Sequence, residues 1–193
     1  MIKILHRINT INKLKNIDKK YGVEIDLRSF QKNLILHHDP FRKGEYFKKW
    51  IKYYKHALLI INIKEEGLEE SILEILKENK IKNYFFLDQS FPFLIKYSKI
   101  LNYNSAFRLS DLESIHTIKK IKKKIKWVWI DFFKNFNLKQ SDIKFLNKNK
   151  IKICLVSPEL KKSSHKNIKN LKKIINSKKL KIDAVCTKKP YLW

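Results

Sequence analysis

Short apolar segments alternate with longer segments of helical periodicity along the whole chain. This alternation is typical of repeated βα units around a parallel sheet. Eight apolar segments are predicted as strands, at residues 2–5, 22–26, 57–63, 84–87, 106–109, 127–130, 153–156 and 182–186. Between them, apolar side chains recur at the helical period and predict helices at residues 11–21, 45–54, 68–78, 93–101, 112–124, 141–148 and 165–177.

One further apolar segment, residues 34–37, follows the second strand too closely for a crossover helix. We interpret it as the returning arm of a β-hairpin. The other strands predict an α/β fold, a (β/α)8 TIM barrel formed by residues 1–193 as a single domain. In such a barrel, the chemistry lies where strands end and helices begin.

Three helix starts carry capping residues. Ser110-Asp111 and Ser141-Asp142 are predicted to cap the helices that follow them, and Ser163 or Ser164 is predicted to cap the last helix.

A chain of 193 residues with 44% hydrophobic content can bury a core of its own. The sequence has no signal peptide and no apolar run long enough to span a membrane, so we expect a soluble, cytoplasmic protein. Cys154 and Cys186 lie inside apolar runs without paired-ligand spacing, which predicts buried free thiols.

The formal net charge of +26 is carried mainly by lysine. The 44 basic residues include four arginines, which are Arg7, Arg28, Arg42 and Arg108, and all the rest are lysines. We interpret this charge as the codon bias of an A+T-rich genome and expect no specific nucleic-acid partner. Lysines spread evenly over all helices would count against binding to nucleic acid or an anionic membrane surface, whereas one patch would favour it.

Polar residues interrupt the apolar pattern where the strands end. They are His6, Arg7, Glu24, Asp26, Arg28, Asn62, Lys64, Asp88, Arg108, Asp131, Glu159 and Lys188. Strand alternation places Glu24, Asp26 and Arg28 on one face, so they can point together towards the barrel axis. The arginines at this rim predict planar recognition of a carboxylate or a phosphate.

Two readings of the carboxylate pair remain open. Glu24 and Asp26 are suitable ligands for Mg²⁺ or Ca²⁺, which prefer oxygen donors. They are equally suited to a salt-bridged pair facing Arg28 or Lys64. A histidine on each side, at His6 and in the pair before Asp39, would add a general acid and a general base.

These residues resemble the glycerophosphodiester phosphodiesterases. His6-Arg7, Glu24-Ile25-Asp26 and His38-Asp39 are similar to that family's H-R, E-x-D and H-D motifs, in the same order. Ile61-Asn62-Ile63-Lys64 is similar to its E-I-K strand, and residues 183–190 are similar to its last strand, which ends in T-D-x-P. The resemblance therefore spans nearly the whole chain.

The resemblance implies a phosphoric diester hydrolase built on a (β/α)8 barrel. It implies a divalent cation, Mg²⁺ or Ca²⁺, held by Glu24 and Asp26 with Asn62 in the position of the third ligand. His6 and His38 would be the acid/base pair. Phosphoryl oxygens would be bound by Arg7 and Lys64, and we add Arg108 from its place at the rim.

The sequence also departs from the family's pattern. Ile8 replaces the glycine after H-R, Asn9-Thr10 is a possible remnant of an E-N-T motif, and Lys188 replaces the acid of T-D. Asn62 stands where the third acid is expected, which lowers the expected cation affinity unless Asp88 or Asp131 contributes.

The sequence leaves three hypotheses for the function of the protein. The first is cleavage of a glycerophosphodiester or a related lipid- or glycan-linked phosphodiester, either by water or by a substrate hydroxyl that forms a cyclic phosphate. The second is a barrel without hydrolytic activity that binds or modifies a sugar phosphate in surface-polysaccharide assembly. The third is a basic protein that binds nucleic acid or an anionic membrane.

Overall fold

The structure is a computed structural model that describes residues 1–132, 138–161 and 165–193. Its strands are β1 (Ile2–Leu5), β2 (Gly22–Phe30), β3 (Asn33–Leu36), β4 (Glu45–Tyr46), β5 (Leu59–Ile63), β6 (Tyr84–Leu87), β7 (Ala106–Leu109), β8 (Trp127–Ile130), β9 (Lys152–Val156) and β10 (Ala184–Thr187). Its helices are α1 (Ile11–Lys15), α2 (Phe47–Trp50), α3 (Glu69–Glu78), α4 (Phe91–Tyr97), α5 (Ile115–Ile121), α6 (Gln140–Lys148) and α7 (His165–Ser177). Short 3-10 turns lie at Ile51–Tyr53, Pro158–Lys161 and Pro190–Leu192.

Eight of the strands are parallel and form the predicted barrel. Their hydrogen-bonded ladder runs from β7 through β8, β9, β10, β1, β2 and β5 to β6. Between β6 and β7 it is reduced to one parallel bridge, Phe86 with Ser105, where the Phe86 amide donates to the Asn104 carbonyl at 2.8 Å. The (β/α)8 fold is confirmed, and the seam of the barrel lies at this bridge.

The predicted hairpin after the second barrel strand is also confirmed. β2 continues beyond the barrel to Phe30, and β3 returns antiparallel to it, with Leu36 opposite Leu27. β4 then pairs with β3, so residues 45–46 are strand rather than the predicted start of a helix. The helix begins only at Phe47, because the two residues before it are used in that pairing.

Two of the predicted helix caps are wrong. α5 is capped by Ser114, which accepts from the His116 amide, while Ser110 accepts from the amides of a tight turn that ends at Glu113. α6 follows Lys139, so residues 141 and 142 lie inside its first turn. The predicted cap at residues 163 or 164 lies outside the described residues.

The barrel interior is apolar at the N-terminal ends of the strands and polar at their C-terminal ends. Alternate strand positions such as Ile4, Ile60, Phe85 and Trp129 fill the inside. Cys154 and Cys186 belong to the same cluster and are buried free thiols, as predicted. Among the described residues, no helix has the length and apolar character that crossing a membrane requires.

Candidate active site

The polar end of the barrel interior contains two buried carboxylates. Glu24 and Asp26 occupy alternate positions of β2, so both side chains lie on the same face of that strand. Asn62 of β5 lies opposite Asp26 in the parallel register. The exposed fractions of these three residues are 1%, 0% and 8%, so each polar atom depends on the protein for its partners.

Glu24 is held by three neighbouring groups. Its Oε2 accepts from the Arg7 amide at 2.7 Å and lies 3.9 Å from His6 Nε2. Its Oε1 accepts from the Asn62 side-chain amide at 2.9 Å. Burial, and then the charge of Asp26, raise the pKa of Glu24 to about 7. Both the protonated and the ionised form of Glu24 are therefore populated near neutral pH.

The backbone of Arg7 takes an uncommon conformation to make this contact. Its φ of 57° is in the left-handed region, which costs a non-glycine residue on the order of 1–2 kcal/mol. Glycine would adopt this conformation freely. The Arg7 amide in return satisfies a buried carboxylate oxygen, which offsets the strain.

Asp26 is bound mainly by Asn9. The Asn9 side-chain amide donates to Asp26 Oδ2 at 2.9 Å, and the Asp26 backbone amide donates to Asn9 Oδ1 at 2.9 Å. Asp26 Oδ1 has no hydrogen bond and lies 3.5 Å from Lys64 Nζ. Arg7 Nε lies 3.7 Å from the other oxygen, so two cationic groups flank this carboxylate.

His6 is uncharged at neutral pH. Burial, and next the positive charge of Arg7, lower the pKa of His6 to about 4. Its contact with Glu24 is therefore not an ion pair at pH 7. A neutral imidazole can accept a proton, which is the requirement for a general base.

His38 lies on the loop that follows the hairpin. Arg28 ties this loop to the barrel, because its Nε donates to the His38 carbonyl and its Nη1 to the Lys64 carbonyl, both at 3.0 Å. His38 Nδ1 is 2.8 Å from the Asp39 carboxylate. The His38 side chain and Arg7 line one open cavity of about 540 Å³.

Arg108 is surrounded by carboxylates. It forms a close ion pair with Asp88, and its guanidinium lies 3.2 Å from Asp131 and 3.8 Å from Glu113. Because Asp88 follows β6 and Arg108 lies on β7, this ion pair crosses the seam of the barrel. Lys64 Nζ, 3.7 Å from the other Asp88 oxygen, connects the pair to Asp26.

The predicted site residues thus fall into two groups. The structure brings together His6, Arg7, Glu24, Asp26, Asn62 and Lys64. His38 shares an open cavity with Arg7 of this group. Arg108 is connected to the group through Asp88, which also contacts Lys64, and its guanidinium is already engaged. In the described part of the chain, no three His, Cys, Asp or Glu side chains are grouped closely enough to hold a metal.

The contacts of two residues at the site differ from what the sequence predicts. Asn9 is noticed in the sequence only as a possible motif remnant, but it forms the reciprocal pair with Asp26. Arg28 is predicted to recognise an anion, but it binds two backbone carbonyls. The sequence signal for the role of Asn9 is a short polar residue soon after the H-R motif. No local sequence signal indicates that Arg28 binds backbone carbonyls.

No protein-family model matches the sequence, and no curated protein matches it. Solved structures do match the fold. A glycerophosphodiester phosphodiesterase from Agrobacterium tumefaciens str. C58 has a TM-score of 0.70 at 13% identity, covering 100% of this chain and 99% of that one. One from Parabacteroides distasonis has a TM-score of 0.65 at 11% identity, covering 99% of this chain and 84% of that one. The chain therefore has the fold of the glycerophosphodiester phosphodiesterases, which confirms at the level of the fold the resemblance carried by its sequence motifs.

Proposed function

We propose that the protein is a phosphodiesterase that cleaves a glycerophosphodiester or a related lipid- or glycan-linked phosphodiester. One observation carries the proposal: a neutral histidine, two buried carboxylates and two cationic side chains meet at the C-terminal end of the barrel strands. This is the end at which (β/α)8 enzymes hold their active sites. The open cavity beside His38 leaves room for a bulky group attached to the phosphate.

The buried oxygens fit a hard cation such as Mg²⁺ or Ca²⁺. Asp26 Oδ1 and Asn62 Oδ1 are buried without hydrogen bonds, and the raised pKa of Glu24 reflects the cost of two neighbouring buried carboxylates. Carboxylate and amide oxygens are the donors that these ions prefer. Glu24, Asp26 and Asn62 would hold the ion, which when bound supplies stabilisation of negative charge on phosphoryl oxygens.

The two histidines divide the proton transfers. His6, neutral at pH 7, accepts the proton of the attacking hydroxyl, from water or from the substrate itself. His38, whose Nδ1 lies 2.8 Å from the Asp39 carboxylate, donates a proton to the leaving oxygen. Arg7 and Lys64 stabilise the charge that develops on the phosphoryl group.

Alanine substitutions test this assignment. His6→Ala and His38→Ala should each lower turnover by about 10²- to 10⁴-fold on a panel of glycerol-, lipid- and glycan-linked phosphodiesters, without loss of folding. His116→Ala is the matched control, because His116 is exposed on α5. Turnover at the level of this control in both variants would contradict the histidine assignment.

Asn62 favours a second function, a barrel that binds or modifies a sugar phosphate in surface-polysaccharide assembly without hydrolysis. Its amide group donates to Glu24 and contributes no negative charge, while Lys64 lies beside Asp26. These contacts already compensate part of the charge that a cation would compensate. A wild-type protein that is inert on the whole panel and binds no cation, but binds sugar phosphates, would favour this function.

A further inference from the structure

The end of the barrel opposite the candidate active site is covered with lysine. This end consists of the connections that lead from a helix into the next strand, at residues 16–21, 54–58, 79–83, 98–105, 122–126, 149–151 and 178–183, and we call it the basic end. Every one of these connections carries lysine. Exposed examples from six of them are Lys20, Lys55, Lys82, Lys99, Lys123 and Lys150.

Acidic residues do not balance this charge. Within those connections the acids are Asp18 and Asp183, and both are engaged: Asp18 lies 2.8 Å from Lys20 Nζ, and Asp183 accepts from the Ile153 amide at 2.8 Å. At the active-site end, by contrast, carboxylates pair with the cations, as Asp88 does with Arg108. Much of the net charge of +26 is therefore displaced towards the basic end.

The residue types at the basic end fit a lipid surface better than a nucleic acid. Arginine, which reads bases and stacks on them, is absent from those connections, since all four arginines lie elsewhere in the sequence. Lysine attracts anionic lipid headgroups through its charge and does not need to recognise bases to do so. Exposed apolar side chains lie in these connections or directly beside them: Ile100 is 58% exposed, as is Met1 immediately before β1, and Tyr53, immediately before residues 54–58, is 48% exposed. Apolar and aromatic residues among lysines are typical of membrane-surface segments.

The distribution of the lysines also favours a lipid surface over a nucleic acid. They lie beside seven of the eight barrel strands, because each connection enters a different strand of the barrel. A linear polymer would contact only part of such a ring, whereas a bilayer can contact all of it at once. We propose that the basic end docks on an anionic lipid bilayer and holds the mouth of the barrel away from that surface.

Vesicle co-sedimentation tests the docking. The wild-type protein should bind phosphatidylglycerol-containing vesicles and not pure phosphatidylcholine vesicles, and binding should weaken as salt is raised. The triple substitution Lys82→Gln, Lys99→Gln and Lys123→Gln should weaken partitioning by on the order of 100-fold, at about fivefold for each lysine. Ile100→Ser should weaken it further, through loss of the apolar contact.

A second triple variant separates position from total charge. Lys32→Gln, Arg42→Gln and Lys139→Gln remove the same charge from exposed residues at the active-site end, and partitioning should stay within a few-fold of wild type. Equal weakening by both triple variants would overturn the proposal, as would an absence of binding to anionic vesicles. Binding of duplex DNA or RNA as tight as vesicle binding would instead identify a general polyanion site. Thermal unfolding of each variant confirms that it is folded.

Discussion

Substituting Asn62 by glutamate should make the stability of the protein depend on a divalent cation. Asn62 is 8% exposed, and its amide group donates to Glu24 Oε1 at 2.9 Å. Asn62→Glu removes this donor and places a further carboxylate beside the two that β2 already buries. In the family that the sequence resembles, an acid stands at this position.

The size of the effect follows from these contacts. Loss of a hydrogen bond to a charged acceptor costs about 1.5–3 kcal/mol. Two like charges about 4 Å apart repel by about 4 kcal/mol at an effective dielectric constant of ~20, and protonation of one group limits this cost. The free energy of unfolding without cation should therefore fall by about 3 kcal/mol or more, a large part of the ~5–15 kcal/mol of an ordinary domain.

A cation should reverse this loss. At a concentration of 100 times its dissociation constant, a bound ion adds ~2.7 kcal/mol to the free energy of unfolding. Urea unfolding in EDTA and in Mg²⁺ or Ca²⁺ measures the change, and titration calorimetry measures the affinity. Asn62→Gln is the matched control, since it has the length of glutamate but keeps the amide.

Two results would refute this reasoning. One is an Asn62→Glu variant that is as stable as Asn62→Gln in EDTA. The other is a cation response of Asn62→Glu no larger than that of the control. Either result would mean that residue 62 does not face a buried, negatively charged site.

Four further predictions follow from the described contacts. Arg28→Ala removes both guanidinium hydrogen bonds, so the free energy of unfolding in urea should fall by about 2–4 kcal/mol, and turnover should fall as the His38 loop is released. Burial lowers the pKa of His56 below its ordinary value, so the unfolded state takes up a proton at this residue first as pH falls. Wild-type stability should accordingly decrease from pH 7 to pH 5 more steeply than that of His56→Gln. Burial raises the pKa of the Cys154 and Cys186 thiols, so iodoacetamide should label them only after unfolding, as judged by mass spectrometry. Binding to DNA or RNA should be weak, insensitive to sequence and steeply reduced by salt, and a sequence-selective complex at physiological ionic strength would contradict this.

The strands were predictable wherever burial on both faces produces a continuous apolar run. β6 and β8 are such runs, and they begin and end at the predicted residues for this reason. β1 and β7 also match their predicted bounds, although Lys3 and Arg108 interrupt their apolar runs. The prediction failed where an element depends on pairing with distant residues. β2 extends to Phe30 because β3 pairs with it, and β4 exists only because residues 45 and 46 meet β3.

At the candidate site too, local features were predictable from the sequence and contacts between distant segments were not. Glu24 and Asp26 could be placed on one face of a strand because strand alternation is a local rule. The contacts of Arg108 could not be predicted, because its acidic partners come from three other segments of the chain. The reciprocal bonds between Asn9 and Asp26 likewise form between residues that are separated along the chain.

The position of the seam makes the chain a good subject for circular permutation. β1 and β10, which lie next to the two termini, are joined by four register pairs from Ile2 with Ala184 to Leu5 with Thr187, so a linker between the old ends would follow an intact ladder. New ends cut between the exposed residues Lys99 and Ile100 would lie in the connection that leads into β7, beside the place where the ladder between β6 and β7 is reduced to one bridge. The barrel would then become an eight-stranded ribbon whose two edges meet at that bridge. The candidate site is built on β1, β2 and β5, in the continuous part of the ribbon, so its geometry should survive the new connectivity.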